Sequence, residues 1–135
     1  MIPSPERQEE FLATMPNVIV ATVRRTGLPQ LTPVWYLWTG EEFWISCAAG
    51  TAKVHNLRRD ARIVLCIDDP VSGDYVQIIG TARLIEGPDA LEPALALIRK
   101  YLDEAEVVPH WETISAIARQ VIISVSPERF LWHDR

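Results

Sequence analysis

Cysteine is scarce in this chain, with two residues in 135, Cys47 and Cys66. Each lies in an apolar run without a CxxC or a neighbouring Cys/His cluster. That leaves zinc without a ligand set and points to two buried, reduced thiols. Histidine is equally thin: His55, His110 and His133 are far apart and lack carboxylates at ligand spacing, so no metal site is expected. Long apolar runs are missing, which argues against a membrane-spanning helix. The opening MIPSPERQEEFL has no basic stretch followed by an apolar one, so a secretory signal is not expected and a cytoplasmic location is. Basic excess is missing too. With 13 Lys and Arg against 18 Asp and Glu, the net charge of −5 disfavours a nucleic-acid partner. Catalytic signatures are absent as well: no GxGxxG, no GxxxxGK[ST] and no HExxH occur, and Ser46 and Ser124 stand outside any nucleophile elbow.

What is present is a 48% hydrophobic, 23% charged composition, that of a globular domain. The length predicts one domain over residues 1–135. Its most informative stretch is Ala48–Arg62, AAGTAKVHNLRRDAR. Small residues lead into Thr51, a candidate N-cap, and Lys53, Asn56, Leu57 and Arg58 follow at helical spacing. A helix start leaves backbone N–H groups unpaired. Ala48, Gly50 and Ala52 would let an anion come close to them, and Lys53 could direct an ammonium at it. On spacing alone, an ordinary solvated helix face built from Lys53, Arg58 and Arg59 fits equally well. Lys53, Arg58, Arg59 and Arg62 against Asp60 form a basic island in an acidic chain, suited to a small anion.

Along the chain, Ser4-Pro5-Glu6 predicts a capped helix through Leu12, ended by Pro16. Asn17–Arg24 and Gln30–Trp38 read as antiparallel strands joined at Thr26-Gly27, and Thr39-Gly40 turns into a third strand, Glu42–Ala48. The second half of Gln30–Trp38 is apolar on both faces, which predicts a barrel interior on one side and a ligand or subunit on the other. Pro33 marks an edge or a bulge. Arg62–Asp68 and Tyr75–Ile85 are further strands, with Gly80 predicting a bend or a close backbone contact. Asp89-x-x-Glu92 resembles a capping box for a helix reaching Leu102. Asp103–Glu112, acidic and containing Pro109, reads as an exposed connection with a short helix after it. Arg119–Ser126 is a last strand, and Pro127–Trp132 is expected to dock its aromatics on the body. Trp35, Trp38 and Trp44 gather around the Thr39-Gly40 hairpin. Cross-strand stacking accounts for such a cluster, and so does a tryptophan flanking a planar ring. About six strands with short early links and a late helix fit a small antiparallel barrel with attached helices.

In order, Gly27-Leu28-Pro29, Pro33-Val34-Trp35-Tyr36, Thr51-Ala52-Lys53, Asn56-Leu57-Arg58-Arg59-Asp60, Gly80-Thr81-Ala82 and Pro127-Glu128-Arg129 with Trp132 run over nearly the whole chain. This ordered set resembles the flavin- and deazaflavin-binding split-barrel family related to pyridoxamine 5′-phosphate oxidase, most closely its branch using the deazaflavin coenzyme F420. The resemblance implies a mainly β fold, a six- to seven-stranded antiparallel split barrel with a few peripheral helices, assembled as a homodimer with cofactor sites at the interface. It implies that Thr51 and Lys53 hold the cofactor phosphate with Asn56 nearby. Val34, Trp35 and Tyr36 would pass beside the tricyclic ring, and Gln77 would reach across from the partner. Tyr36 is also a candidate proton donor. The implied activity is hydride transfer from reduced F420 to a planar conjugated small molecule. FMN is the alternative cofactor, and a non-enzymatic carrier of a flavin, F420 or haem-type ligand, or an FMN-dependent oxidase, are alternative functions.

Overall fold

Val18, Val20 and Thr22 point inward while Ile19, Ala21 and Val23 face out, the period-two burial that NVIVATV predicts for a strand. The same alternation recurs in most strands of the computed structural model, which describes residues 2–133. The order is α1 (Pro5–Thr14), β1 (Val18–Val23), β2 (Pro29–Val34), β3 (Leu37–Trp38), β4 (Phe43–Ala48), α2 (Ala52–Arg59), β5 (Arg62–Asp68) and β6 (Tyr75–Ile85). A 3₁₀ turn (Gly87–Ala90), α3 (Leu91–Arg99), α4 (Glu104–Ile117) and β7 (Gln120–His133) complete it. All pairings are antiparallel, and the strands run β2-β1-β5-β6-β7-β4-β3 in one curled half-barrel sheet.

Inside the curl, Val20, Phe43, Ile45, Ile63, Leu65, Ile78 and Ile123 form the core, and α2 closes it with Val54 and Leu57. The long β6 and β7 carry the bend. Their register shifts between Ile79 and Gly80, and a Cβ at Gly80 would lie 2.5 Å from the Ser126 carbonyl oxygen. Gly80 is therefore the close approach its position predicts. The α3–α4 pair, inserted between β6 and β7, covers the other side of β4, where Trp44, Ser46 and Ala48 alternate with the core residues.

Four local expectations are corrected. Gln30–Trp38 is not one strand: β2 pairs with β1, whereas Leu37 and Trp38 pair with β4. The corner between them holds because Tyr36 turns into the core, its N–H donating to the Tyr101 hydroxyl and its carbonyl accepting from Lys100. Asp103–Glu112 is mostly helix α4. Acidic Glu104 and Glu106 suit its first turn, and Pro109 and Ala105 are both exposed, so the carbonyl that Pro109 leaves unbonded meets water. Asp89 lies inside the 3₁₀ turn and no side chain caps α3, so the capping box does not form. Finally, the last strand does not end at Ser126 but continues through Pro127–Trp132 as part of β7, while Phe130 and Trp132 pack against the core as expected.

Candidate functional site

The basic island is largely neutralised from within. Arg58 binds Glu86 at 2.6 Å, Arg62 binds Asp60 at 2.7 Å, and Arg59 donates to the Val23 carbonyl. Glu86 also takes Arg119 at 2.9 Å. Arg58 and then Arg119 hold the Glu86 carboxyl down at about 2, and Arg62 does the same to Asp60. Lys53 is the exception. It is only 7% exposed, and its ammonium makes no hydrogen bond or ion pair with a described residue.

Thr51 has the extended backbone of an N-cap but makes no side-chain cap; its hydroxyl donates instead to Cys47 Sγ at 3.8 Å. The N–H groups of Ala52, Lys53 and Val54 consequently have no acceptor among the described residues. Burial pushes the Cys47 thiol up, against the opposing pull of the Lys53 charge and the Thr51 hydroxyl, so the cysteine is protonated and inert. Three free N–H groups and an unpaired buried cation share one helix end. A Cβ at Gly50 would meet nothing within 4 Å, so the approach is open.

Ala48 accepts the Thr51 N–H at 3.2 Å and also lines a cavity of about 410 Å³ between β4 and the helices. Its floor is Ser46, Ala48 and Gln120, its wall Val34 and Trp35, and its roof comes from α3 and α4 through Leu97, His110 and Ile114. Trp35 is held by Tyr101, stacked on it at 4.1 Å and 2°. Tyr101 in turn donates to the Pro16 carbonyl at 2.7 Å, and Lys100 donates to the Met15 and Tyr36 carbonyls while lying 3.6 Å from the Tyr36 ring centroid.

A family model described as pyridoxamine 5′-phosphate oxidase matches residues 4–133. The chain belongs to that family. Solved members of the fold include a conserved hypothetical protein from Mycobacterium tuberculosis, similar at a TM-score of 0.82 and 23% identity over 99% of this chain and 86% of that one. An F420 reductase matches at 0.74 and 25% identity, covering 96% and 98% of the two chains. The haem storage protein HutZ from Vibrio cholerae matches at 0.78 and 13% identity, covering 97% and 95%. The pyridoxamine 5′-phosphate oxidase family is thus shown together with its split-barrel fold.

Of the expected site residues, the structure brings Val34, Trp35 and Ala48 to one cavity, whereas Gly50, Thr51, Ala52 and Lys53, which follow Ala48 in the chain, do not line it and gather instead at the start of α2. Tyr36 is a correction. Its ring is fully buried, its hydroxyl donates to the Leu12 carbonyl at 2.5 Å, and burial pushes its pKa up, so the side chain faces the core and not the cavity. Asn56 is buried in the core, its amide donating to Thr22 Oγ1 at 3.0 Å, and serves the barrel closure. Gln77 lies on the opposite, outer sheet face, between Cys66 and Leu131. Sequence reasoning missed Ser46 as a cavity residue and missed the roof altogether. Once β4 was placed, alternation from the buried Cys47 would have pointed Ser46 outward, but nothing local in the sequence announces α4.

Proposed function

We propose that this chain is an oxidoreductase that binds coenzyme F420 and transfers a hydride from its reduced form to a planar conjugated small molecule. The observation that carries the reading is Lys53, the one cation of its island without a partner among the described residues, which shares the first turn of α2 with three free N–H groups a few residues after Ala48 of the apolar cavity. That set fits a phosphate, the group through which F420 and FMN would both be held. The fit is in the donor chemistry: Lys53 and the first turn of α2 would take the phosphate, with Val34, Trp35 and Ala48 beside the ring. The F420 reductase neighbour, at 25% identity, favours the deazaflavin over FMN.

When bound, the cofactor supplies the hydride. The protein's contribution is orientation in a site with few polar groups, and the stacked Trp35–Tyr101 pair fixes one wall of it.

The reading includes a homodimer. Ile19, Leu31, Val64 and Ile79 are 39%, 59%, 39% and 36% exposed on one sheet face, next to Ala21 and Gln77. A continuous apolar face of this kind fits a second copy of the same face across a two-fold axis. Gln77 would then reach the site from the partner.

Titration of the purified protein with F420 and with FMN, followed by cofactor fluorescence, tests the reading. Saturable F420 binding that weakens about tenfold or more in Lys53→Met is expected, since a charge-assisted hydrogen bond contributes about 1.5–3 kcal/mol. No F420 binding at high micromolar concentration refutes it. A yellow, FMN-loaded protein would point to the flavin-dependent alternative.

A carrier is the second reading, favoured by the absence of an acid–base pair in the cavity, whose described lining has His110 as its sole ionisable residue. Tight binding with no turnover across quinone, enone and tetrapyrrole substrates would select it.

A further inference from the structure

The α3–α4 hairpin rests on a hydrophobic cluster separate from the barrel core. That cluster is Ala90, Ala94 and Ile122, with Trp44, Ile85 and Trp111 at its margin, whereas the barrel is filled by larger aliphatic and aromatic side chains. Helix α4 packs chiefly on α3. Val107 is its buried residue, Pro109 interrupts its hydrogen-bond ladder, and Ile117 is 80% exposed. Alanine buries little apolar area, so the hairpin is held less firmly than the strands beneath it, and a segment held in this way opens locally while the rest of the fold stays intact.

The ties between the hairpin and the body of the barrel are polar, and they gather where α3 ends. The Lys100 ammonium donates to the Met15 carbonyl at 2.8 Å and to the Tyr36 carbonyl at 3.0 Å. The Tyr101 hydroxyl donates to the Pro16 carbonyl at 2.7 Å and accepts from the Tyr36 N–H at 3.0 Å. Four hydrogen bonds thus fasten one joint to two other segments of the chain, and the Tyr101 ring carries the stack on Trp35. The carboxylates of neighbouring elements are engaged elsewhere: Glu9 accepts from Trp38, Glu10 pairs with Arg7, and Glu104 pairs with Arg99. Glu6, Asp103 and Glu106 make no ion pair with Lys100 among the described residues. The titratable groups against the ammonium are the phenols of Tyr36 and Tyr101, both pushed up by burial and so neutral, while His110 of α4 faces Trp35.

We propose that the α3–α4 hairpin is a lid that lifts from β4 as a unit, with Lys100 and Tyr101 as the catch that governs how often it opens. Lifting it uncovers Ser46 and breaks the Trp35–Tyr101 stack, so closure of the lid re-forms one wall of the cavity. The catch also gives the motion a pH dependence. Seated, Lys100 is lowered by burial to about 8; lifted into water, it returns to its ordinary 10.5. Between those values opening takes up a proton, so the opening constant is flat below pH 8 and falls with a slope approaching tenfold per pH unit above it. The lid belongs to the protein itself and does not depend on which cofactor is bound.

The ligand-free Ser46→Cys protein is alkylated with iodoacetamide between pH 6 and 10, and tandem mass spectrometry separates label at position 46 from label at Cys47. The two positions lie on opposite faces of β4, one under the lid and one in the barrel core. Dividing each rate by that of an unfolded peptide of the same sequence removes the thiolate fraction and leaves the opening constant. Position 46 should open at least tenfold more often than Cys47, with the pH profile above. Lys100→Met should make the profile flat. Tyr101→Phe, which keeps the ring but loses the hydroxyl, should raise the opening constant about two- to tenfold, the worth of one hydrogen bond, and keep the slope. Equal opening at positions 46 and 47 overturns the lid, because global unfolding then exposes both. A flat wild-type profile, or a slope that survives in Lys100→Met, overturns the catch. Failure of F420 to bind would refute the proposed function and leave these outcomes unaffected.

Discussion

Gly80→Ala should destabilise the protein, against the usual direction for a glycine whose backbone other residues can adopt. Gly80 has no positive φ, so alanine meets no conformational barrier there, and the lower entropy of the unfolded chain would by itself stabilise by about 0.4–1 kcal/mol. The added methyl, however, would sit 2.5 Å from the Ser126 carbonyl oxygen and 3.0 Å from Val125 Cγ1. The first of these is backbone, at the register shift where β7 crosses β6, and it cannot rotate away. Overpacking of this kind costs about 1–3 kcal/mol. The net is a loss of about 1–2 kcal/mol, or roughly 4–8 °C in melting temperature for a chain of this length. Thermal unfolding followed by tryptophan fluorescence measures it, with Gly50→Ala as the control. A Cβ at Gly50 touches nothing within 4 Å and its φ is not positive, so stability there should hold or rise. A Gly80→Ala protein that melts at or above the wild-type temperature would refute the claim that a backbone contact sets the bend.

Glu86→Gln should lose the acid limb of stability that Arg58 and Arg119 confer. With its folded value held at about 2, Glu86 contributes fully above pH 4.5 and loses that contribution as pH falls toward 2, so wild type and variant should converge in melts over that range. Lys100 acts in the alkaline range: burial lowers it to about 8, so as pH rises from 8 to about 10.5 the unfolded chain binds more protons and wild-type stability should rise relative to Lys100→Met. Its ionisable neighbours Tyr36 and Tyr101 are both pushed up by burial, and a pH-independent difference would contradict the assignment. Val64→Asp, placing a charge at the centre of the exposed apolar sheet face, should convert a dimer to monomer by light scattering; an unchanged mass would move the interface elsewhere.

Much of the fold was legible because burial alternates faithfully. NVIVATV, FWISC and RIVLCID each alternate buried with less buried residues, and Gly80 could be read as a close approach from its place in the middle of a strand. The corner at Trp35-Tyr36 was not legible, because what bends it comes from Lys100 and Tyr101, about 65 residues away. Helix α4 was hidden by Pro109, whose local penalty falls on an exposed carbonyl and is therefore small. The site divided similarly. The free N–H groups at the start of α2 follow from local properties of Ala48–Lys53, while the placement of the aromatic residues depends on which way side chains turn after a corner. Tyr36 and Asn56 were misassigned for that reason: both are polar residues whose partners, Leu12 and Thr22, lie on other elements.

The internal pairing of Arg58, Arg59 and Arg62 has a consequence for ionic strength. Had all four cations of the island met the ligand, affinity would fall steeply with added salt, as it does when several fixed charges are screened together. Because three of them are already committed to Glu86, Asp60 and the Val23 carbonyl, a bound phosphate faces one ammonium and a set of backbone dipoles. With a single ammonium in play rather than four, the affinity of the proposed phosphate site should fall only gently with added salt.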